Sequence, residues 1–245
     1  MDTALTTAIT RRELIRLTGI TGQSVSRRGS RSINADAVAG YTDPGTGRSA
    51  FVVADGVGDH LLAARAARTA AAVAAREAAA HGPQSGILAA QRELLREFPE
   101  PSADSVLVVV VLPGDHSDAI CEVAWVGDCR AYRWNGRVLH QITTDHTVAE
   151  YLRNRGVEPA ARANHLVYTT ARTARAAEIG YAATGTSSGR LLLSTDGVHK
   201  RLGIAEIKDI LAADTTPDVA AESLVDTALE SGGTDNTTAL VIDSR

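Results

Sequence analysis

The sequence predicts a layered α+β fold, in which a few long helices cover sheets built from short buried strands. Five short segments are apolar and mostly β-branched, which is typical of buried strands. The helical segments are grouped rather than placed between every pair of strands, which argues against strict βαβ alternation. The strand candidates are residues 50–54, 105–112, 123–126, 190–194 and 239–242.

Two consecutive helices are predicted after the first of these strands. Residues 61–80 are rich in alanine, the residue with the highest helix propensity, and carry interspersed arginines. Pro83 interrupts the pattern because proline lacks the backbone N–H that a helix interior needs. We therefore expect a second, separate helix over residues 87–98.

Turn residues place a hairpin and a third long helix in the second half of the chain. Asn135-Gly136 lies between two strand-like runs, and this pair tolerates the positive φ angles of a tight hairpin. Thr216 is a suitable N-cap for a helix with Pro217 at its first position. Gly232 and the glycine after it are expected to end that helix before the last strand.

Size and composition favour one domain. The 245 residues are 44% hydrophobic and include no long linker, so a single sizeable core can form. Residues 1–12 lack a periodic pattern and are expected to be an irregular or lightly docked terminus. The longest aliphatic run, residues 106–112, is too short to cross a bilayer, so we expect no membrane partner.

Charge and cysteine content exclude two further classes of protein. The formal net charge of −4 argues against general nucleic-acid binding, which depends on Lys and Arg neutralising phosphates. Cys121 and Cys129 are the only cysteines, too few for the disulfide framework of a secreted domain. We therefore expect a cytoplasmic protein, and the sequence predicts no particular oligomeric state.

Four aspartates share one setting, at an end of an apolar segment and next to glycine or another small residue. Each pair alone is a common turn former, but together they suggest carboxylates that converge at one sheet edge. Converging carboxylates raise one another's pKa unless cations are bound, and an oxygen-only ligand set favours Mg²⁺ or Mn²⁺ over zinc. The four turns are Asp55-Gly56, Gly127-Asp128, Asp196-Gly197 and Gly233-Thr234-Asp235.

Longer motifs surround these turns. Arg31 stands five residues before Asp36, and further motifs contain the four acidic turns in order along the chain. On these motifs the chain resembles the metal-dependent protein serine/threonine phosphatases of type 2C, in their bacterial stand-alone form. The motifs cover residues 31–37, 51–60, 126–132 with 141–147, 193–198 and 233–240.

The resemblance implies a more specific fold and domain layout. It implies two antiparallel β-sheets in a central sandwich flanked by helices on both sides, with the site at one end of the sandwich. Residues 21–245 would form one catalytic domain, and residues 1–20 are a poorly matched N-terminal segment.

The resemblance also implies a metal site of two Mn²⁺ or Mg²⁺ ions. Asp55 would bridge the two ions and the Gly56 carbonyl would bind one of them. Asp196 and Asp235 would complete the shell of the other ion. Asp36 would act mainly through metal-bound waters.

Further residues take roles by the same resemblance. Asp128 matches the aspartate that some bacterial relatives use for a third, weaker ion. Arg31 would hold the substrate phosphate, since its planar fork suits two phosphate oxygens. Independently of the resemblance, His60 or His146 is the candidate that would protonate the leaving group, because imidazole titrates near physiological pH.

The predicted function is hydrolysis of phosphoserine or phosphothreonine in proteins by a water that two metal ions activate. The expected partner is a phosphorylated protein, the substrate of a Ser/Thr kinase. Ala35 and Asp59 depart from the family pattern, and they support one alternative, a degenerate binding or regulatory module without turnover. A second alternative is a phosphatase of a small phosphate ester, because a two-metal site does not define the group that carries the phosphate.

Overall fold

The computed structural model describes residues 10–17, 20–114, 120–185 and 188–244. Eleven strands lie in these ranges, and each of the five predicted strand segments falls inside one of them. The strands are β1 Thr10–Leu17, β2 Ile20–Arg27, β3 Asp36–Thr42, β4 Ser49–Gly56, β5 Ser105–Leu112, β6 Cys121–Val126, β7 Arg130–Trp134, β8 Leu139–Gln141, β9 Gly180–Thr184, β10 Gly189–Ser194 and β11 Thr237–Ser244.

Six α-helices and two short 3₁₀ helices, Ala161–His165 and Ala176–Glu178, complete the described part of the chain. None of the helices in this part combines the length and the apolar character needed to cross a membrane. The α-helices are α1 Leu61–His81, α2 Pro83–Glu97, α3 Val148–Arg153, α4 Asp196–His199, α5 Ile204–Ala212 and α6 Pro217–Glu230.

The strands form two antiparallel sheets, as predicted. Among the described residues, the first sheet has six strands in the order β1-β2-β11-β10-β7-β8, and the second has five in the order β3-β4-β5-β6-β9. Helices α1 and α2 pack on the outer face of the five-stranded sheet, and α6 packs on the six-stranded sheet. The predicted sandwich with helices on both sides is therefore confirmed.

Strand β5 contributes side chains to two hydrophobic cores, one on each face of its sheet. All eight of its residues are buried, and successive side chains point to opposite faces of the sheet. Val106, Val108 and Val110 join the core between the two sheets, together with residues of β4, β10 and β11. Leu107 and Val109 join the core beneath α1 and α2. A continuous apolar run is therefore what a strand buried on both faces requires.

Helix α1 packs closely because its buried face consists of alanines. Small side chains let α2 approach until a Cβ on Gly86 would lie 2.7 Å from the Ala74 carbonyl oxygen and 2.8 Å from the Ala78 Cβ. The two helices are joined only by Gly82, whose φ of 94° lies in the region that favours glycine. The buried alanines are Ala63, Ala64, Ala66, Ala67, Ala70, Ala71, Ala74, Ala75, Ala78 and Ala79.

Several element predictions are confirmed, and two are wrong. The Asn135-Gly136 hairpin joins β7 to β8, and α6 begins at Pro217 as predicted. Helix α2 starts at Pro83, four residues before its predicted start, because proline suits the first helical position, where no N–H donor is needed. Residues 10–12, expected to be irregular, begin β1, which pairs with β2, while residues 1–9 lie outside the described ranges.

We predict that Gly86→Ala destabilises the chain by about 1–2 kcal/mol, although alanine has the higher helix propensity. The added methyl group would collide with the backbone of α1, which cannot move without disturbing the sheet beneath it. Urea unfolding measures the effect. Gln84→Ala, an exposed position on the same helix, is the control and should change stability by less than about 0.5 kcal/mol. A more stable Gly86→Ala variant would contradict the close packing.

Candidate active site

Five aspartates from both sheets meet at one end of the sandwich. Asp36 begins β3 and lies directly opposite Asp55 in the register of β3 and β4. Asp128 follows β6, Asp196 follows β10, and Asp235 precedes β11. Burial raises the pKa of the Asp55 carboxyl well above its ordinary value, and the charges of the other four aspartates raise it further. The structure thus brings together all the aspartates that the sequence singled out.

Asp36 is a buried carboxylate in which only one of the two oxygens has hydrogen-bond partners. Its Oδ2 accepts hydrogen bonds from the hydroxyls of Thr238, at 2.6 Å, and Thr195, at 3.0 Å. Its Oδ1 is buried and has no hydrogen-bond partner. Burial raises the pKa of Asp36 to about 7, even though the two hydroxyls act in the opposite direction.

The position of Gly56, beside Asp55, has no room for a side chain. A Cβ at this position would lie 2.4 Å from the Ala63 carbonyl oxygen in the first turn of α1. The Gly56 N–H donates to the Ala35 carbonyl at 3.2 Å, and the Ser105 hydroxyl donates to the Asp55 carbonyl at 2.8 Å. The chain on both sides of the Asp55 carboxylate is thereby fixed.

Arg31 lies on an exposed loop at the rim of this cluster. Its Nη2 forms an ion pair with Asp235 Oδ2 at 2.8 Å. Asn236 holds the same loop: its amide donates to the Arg28 and Ile33 carbonyls at 2.8 and 2.9 Å, and its Oδ1 accepts the Ala35 N–H at 2.8 Å. The predicted phosphate-binding arginine is therefore next to the aspartates and on a fixed loop.

Asp59, one of the departures from the family pattern, supports this loop from the other side. Its two carboxylate oxygens accept the backbone N–H groups of Ser32 and Ile33, both at 3.0 Å. These hydrogen bonds, chiefly that from Ser32, lower the pKa of Asp59. The extra carboxylate therefore binds the segment that immediately follows Arg31.

The two candidate histidines have structural contacts. The Nδ1 atom of His60 accepts the Ala63 N–H at 3.1 Å and caps the N-terminus of α1. His146 packs between Trp125 and Tyr168, with ring centroids 6.2 and 5.7 Å away, and burial lowers its pKa. Proton donation by either histidine stays a prediction.

Lys200 is a site residue that the sequence reasoning missed. Its ammonium contacts Asp196 Oδ2 and lies 3.2 Å from Asp128 Oδ2. Burial raises the pKa of Asp128 to about 6, an effect that Asp196 increases and Lys200 reduces. The signal was available, because Lys200 stands four residues after Asp196, at the spacing of one helical turn.

The donor set fits divalent cations at the centre of the cluster. In the ranges that the structure describes, no three His, Cys, Asp or Glu side chains converge closely enough to enclose a metal ion. Two of the carboxylates are held in ion pairs, Asp235 with Arg31 and Asp196 with Lys200. However, Asp196 Oδ1 is buried without a hydrogen-bond partner, as is the corresponding atom of Asp36. Unpaired carboxylate oxygens are ligands that Mg²⁺ and Mn²⁺ prefer.

The cluster opens to solvent through two adjoining cavities. The inner one, of about 210 Å³, reaches Asp55, Asp128 and Asp196. The outer one is about 640 Å³, large enough for a peptide side chain. Five cationic side chains in its lining suit an anionic group, and three aspartates, Asp145, Asp196 and Asp235, pair with three of them. The five are Arg31, Arg130, Arg153, Lys200 and Arg201.

Sequence comparison finds partial relatives. No protein-family model matches the chain. A stretch of 127 residues is 29% identical to the serine/threonine phosphatase Stp of Listeria monocytogenes, and to that of Listeria innocua. This match covers 49% of the chain and 50% of the relative, so the chain spans about half the length of the curated relatives it matches.

Solved structures match over nearly the whole chain. Serine/threonine phosphatase Stp1 from Staphylococcus aureus superposes with a TM-score of 0.79 at 20% identity, covering 96% of this chain and 98% of that one. PppA, a key regulatory component of T6SS in Pseudomonas aeruginosa, gives a TM-score of 0.71 at 28% identity, covering 92% and 98%. The chain therefore has the fold of these phosphatase structures.

A third matching structure contains metal. The catalytic domain of the serine/threonine protein phosphatase PstP, solved in complex with two manganese ions, is 24% identical. It covers 91% of this chain and 97% of its own length, with a TM-score of 0.71. The fold predicted from the motifs is thus the fold of these bacterial enzymes.

We predict that Asp36→Asn stabilises the metal-free protein by on the order of 1–2 kcal/mol at pH 8. Because burial raises the pKa of Asp36 to about 7, its ionised form costs stability above that pH. The cost declines as pH falls from about 7 towards the ordinary value of 3.8, so the gain should shrink between pH 7 and pH 5. Urea unfolding in EDTA at several pH values measures it.

The exposed Asp209→Asn is the matched control and should show no gain at any of these pH values. Added Mn²⁺ should reverse the sign at Asp36, because the amide cannot supply the charge that offsets a cation. Equal stability of wild type and Asp36→Asn at pH 8 would show that the buried charge is already compensated.

Proposed function

We propose that this chain is a metal-dependent protein phosphatase that hydrolyses phosphoserine and phosphothreonine. The observation that carries the proposal is the cluster of five aspartates at one end of the sandwich, with Arg31 on the adjoining loop. Carboxylates gathered so closely raise one another's pKa, which is a cost without a structural purpose unless cations are bound.

Each residue of the site would have a role that follows from its position. Asp55, with the Gly56 carbonyl, and Asp196 and Asp235 would hold two Mn²⁺ or Mg²⁺ ions, and Asp36 would orient water beside them. The ions, when bound, would lower the pKa of a water molecule and offset charge on the phosphoryl group. Arg31 would bind two phosphate oxygens with its planar fork, exchanging its bond to Asp235 for the substrate. The two ions observed in PstP support this assignment.

Arg31 can meet a phosphate without a large movement of the chain. Arg31 already lines both cavities, and the loop that carries it is held by Asn236 and Asp59. An arginine whose backbone is fixed in advance loses less entropy on binding than one on a free loop. This placement favours a phosphate monoester at the outer end of the aspartate cluster.

A phosphorylated protein is the substrate we propose, as the product of a Ser/Thr kinase. The relatives named as serine/threonine phosphatases support this class of substrate. The outer cavity also gives a peptide room beside the phosphate. A cytoplasmic location, the absence of nucleic-acid and membrane partners, and the division into residues 1–20 and 21–245 stay predictions from the sequence.

The two departures that favoured a degenerate module both have structural roles. Ala35 is buried and packs against Ala63 and Ala64, so its small side chain is a packing requirement. Its N–H bonds Asn236, which keeps the chain before Asp36 in place. Asp59 supports the Arg31 loop. Neither departure removes an aspartate of the cluster.

The direct test is phosphate release from a phosphothreonine peptide, first with EDTA and then with added Mn²⁺ or Mg²⁺. We expect release only with metal, and a loss of about 100-fold or more in Asp235→Ala. The exposed Asp209→Ala is the control and should retain wild-type activity. No release from a folded protein under any metal condition would favour a binding module. Higher kcat/KM for small esters than for phosphopeptides would favour the second alternative.

We further predict that Asp59→Ala raises KM for a phosphopeptide by about 2–10-fold, with a smaller change in kcat. The variant removes both hydrogen bonds to the segment after Arg31, so the arginine must be ordered when the substrate binds. Asp59→Asn keeps one acceptor oxygen and should give an intermediate KM. Steady-state kinetics measure the split, with the exposed Glu230→Ala as a control. An unchanged KM in Asp59→Ala would show that the loop is held sufficiently by Asn236.

A further inference from the structure

The ammonium group of Lys200 lies between two aspartates of the acidic cluster. Lys200 directly follows α4, one turn after Asp196. Its Nζ contacts Asp196 Oδ2 and lies 3.2 Å from Asp128 Oδ2 and 3.3 Å from His165 Nδ1. An ammonium has three N–H donors, and these three neighbours account for all of them.

The surroundings make this a fixed contact rather than a surface ion pair. The side chains of Asp128, Asp196 and Lys200 are only 6%, 14% and 24% exposed. Burial lowers the pKa of Lys200, but the charges of Asp196 and Asp128 outweigh it, so the pKa lies above its ordinary value. A lysine that is charged and mostly buried between two carboxylates stays there, because leaving would strand both charges.

The ammonium and a divalent ion cannot share this place. A cation that bound both Asp128 and Asp196 would need oxygen distances of about 2.0–2.6 Å, which puts it at the position of the ammonium. The same-sign charges would also repel each other. The residues around Asp128 therefore do not fit the third, weaker ion that the family resemblance implied for this aspartate.

We infer that Lys200 is a built-in cation that takes the place of a metal ion between Asp128 and Asp196. The inference adds to the proposed function and rests on it for the metal ions at the centre of the cluster. Lys200 is then a positioning residue: it binds Asp196 Oδ2, while Asp196 Oδ1, which is buried and has no hydrogen-bond partner, stays available to the central site.

The test counts Mn²⁺ ions bound per chain, by equilibrium dialysis with elemental analysis, in the intact protein at pH 7.5. Lys200→Met removes the charge and keeps a side chain of similar length. We expect this variant to bind one ion more than wild type, and Asp128→Asn in the same chain to abolish the gain. Lys200→Arg keeps the charge and should bind no additional ion.

Lys208, the other lysine of the chain, supplies the matched control, because it is exposed on α5 and pairs with Asp209 outside the site. Lys208→Met should leave the count unchanged. An unchanged count in a folded Lys200→Met would overturn the inference.

Wild type provides a test that does not depend on a Lys200 variant. Asp128→Asn alone should leave the wild-type count unchanged, and a loss of one ion would overturn the inference. The inference is tested by the difference in bound Mn²⁺ between wild type and each variant, and not by the absolute number of ions. No bound Mn²⁺ in wild type would instead refute the proposed phosphatase, while a gain in Lys200→Met that depends on Asp128 would still support the role of Lys200.

Discussion

Repulsion between buried carboxylates is the constraint on which the rest of the site depends. Five aspartates are held at one end of the sandwich, and burial together with mutual repulsion raises the pKa of Asp36, Asp55 and Asp128. The chain offsets part of this cost with its own groups. Two threonine hydroxyls bond Asp36, and Arg31 and Lys200 contact Asp235 and Asp196. The unpaired oxygens that remain define where added cations are needed.

Hydrophobic packing between the two sheets holds these charges together. Asp36 and Asp55 belong to the five-stranded sheet, whereas Asp196 and Asp235 flank strands of the six-stranded sheet. Asp128 lies in the turn that connects the two sheets, between β6 and β7. The cluster therefore exists only when the two sheets are stacked. Apolar residues of β4, β5, β10 and β11 fill the space between them, and burial of such side chains is the dominant favourable term in folding. Hydrophobic packing at the centre thus compensates for electrostatic strain at the end.

Local patterns predicted the parts of this structure that local chemistry determines. The bounds of β5 were predicted in full because a run of seven apolar residues after Ser105 permits few alternatives. Four of the aspartates were found because each lies at a strand end beside glycine or another small residue, whereas Asp36 was found through the resemblance of its motif to the family. Strand β1 was missed, since an edge strand needs no continuous apolar pattern. The contacts of Lys200 with Asp128 and of Asn236 with Ile33 join residues 72 and 203 positions apart, and only the folded chain brings them together.

The departures from the family pattern are best understood through the loop that they share. Ala35 lies at the end of the Arg31 loop, where a larger side chain would meet the first turn of α1. Asp59 comes from the start of that helix and binds the middle of the loop. Asn236, beside Asp235, binds both ends of it. One segment is thus fixed by the helix on one side and by an aspartate turn on the other. Ala35 and Asp59, the two departures from the motif, therefore both help to hold the loop that carries Arg31.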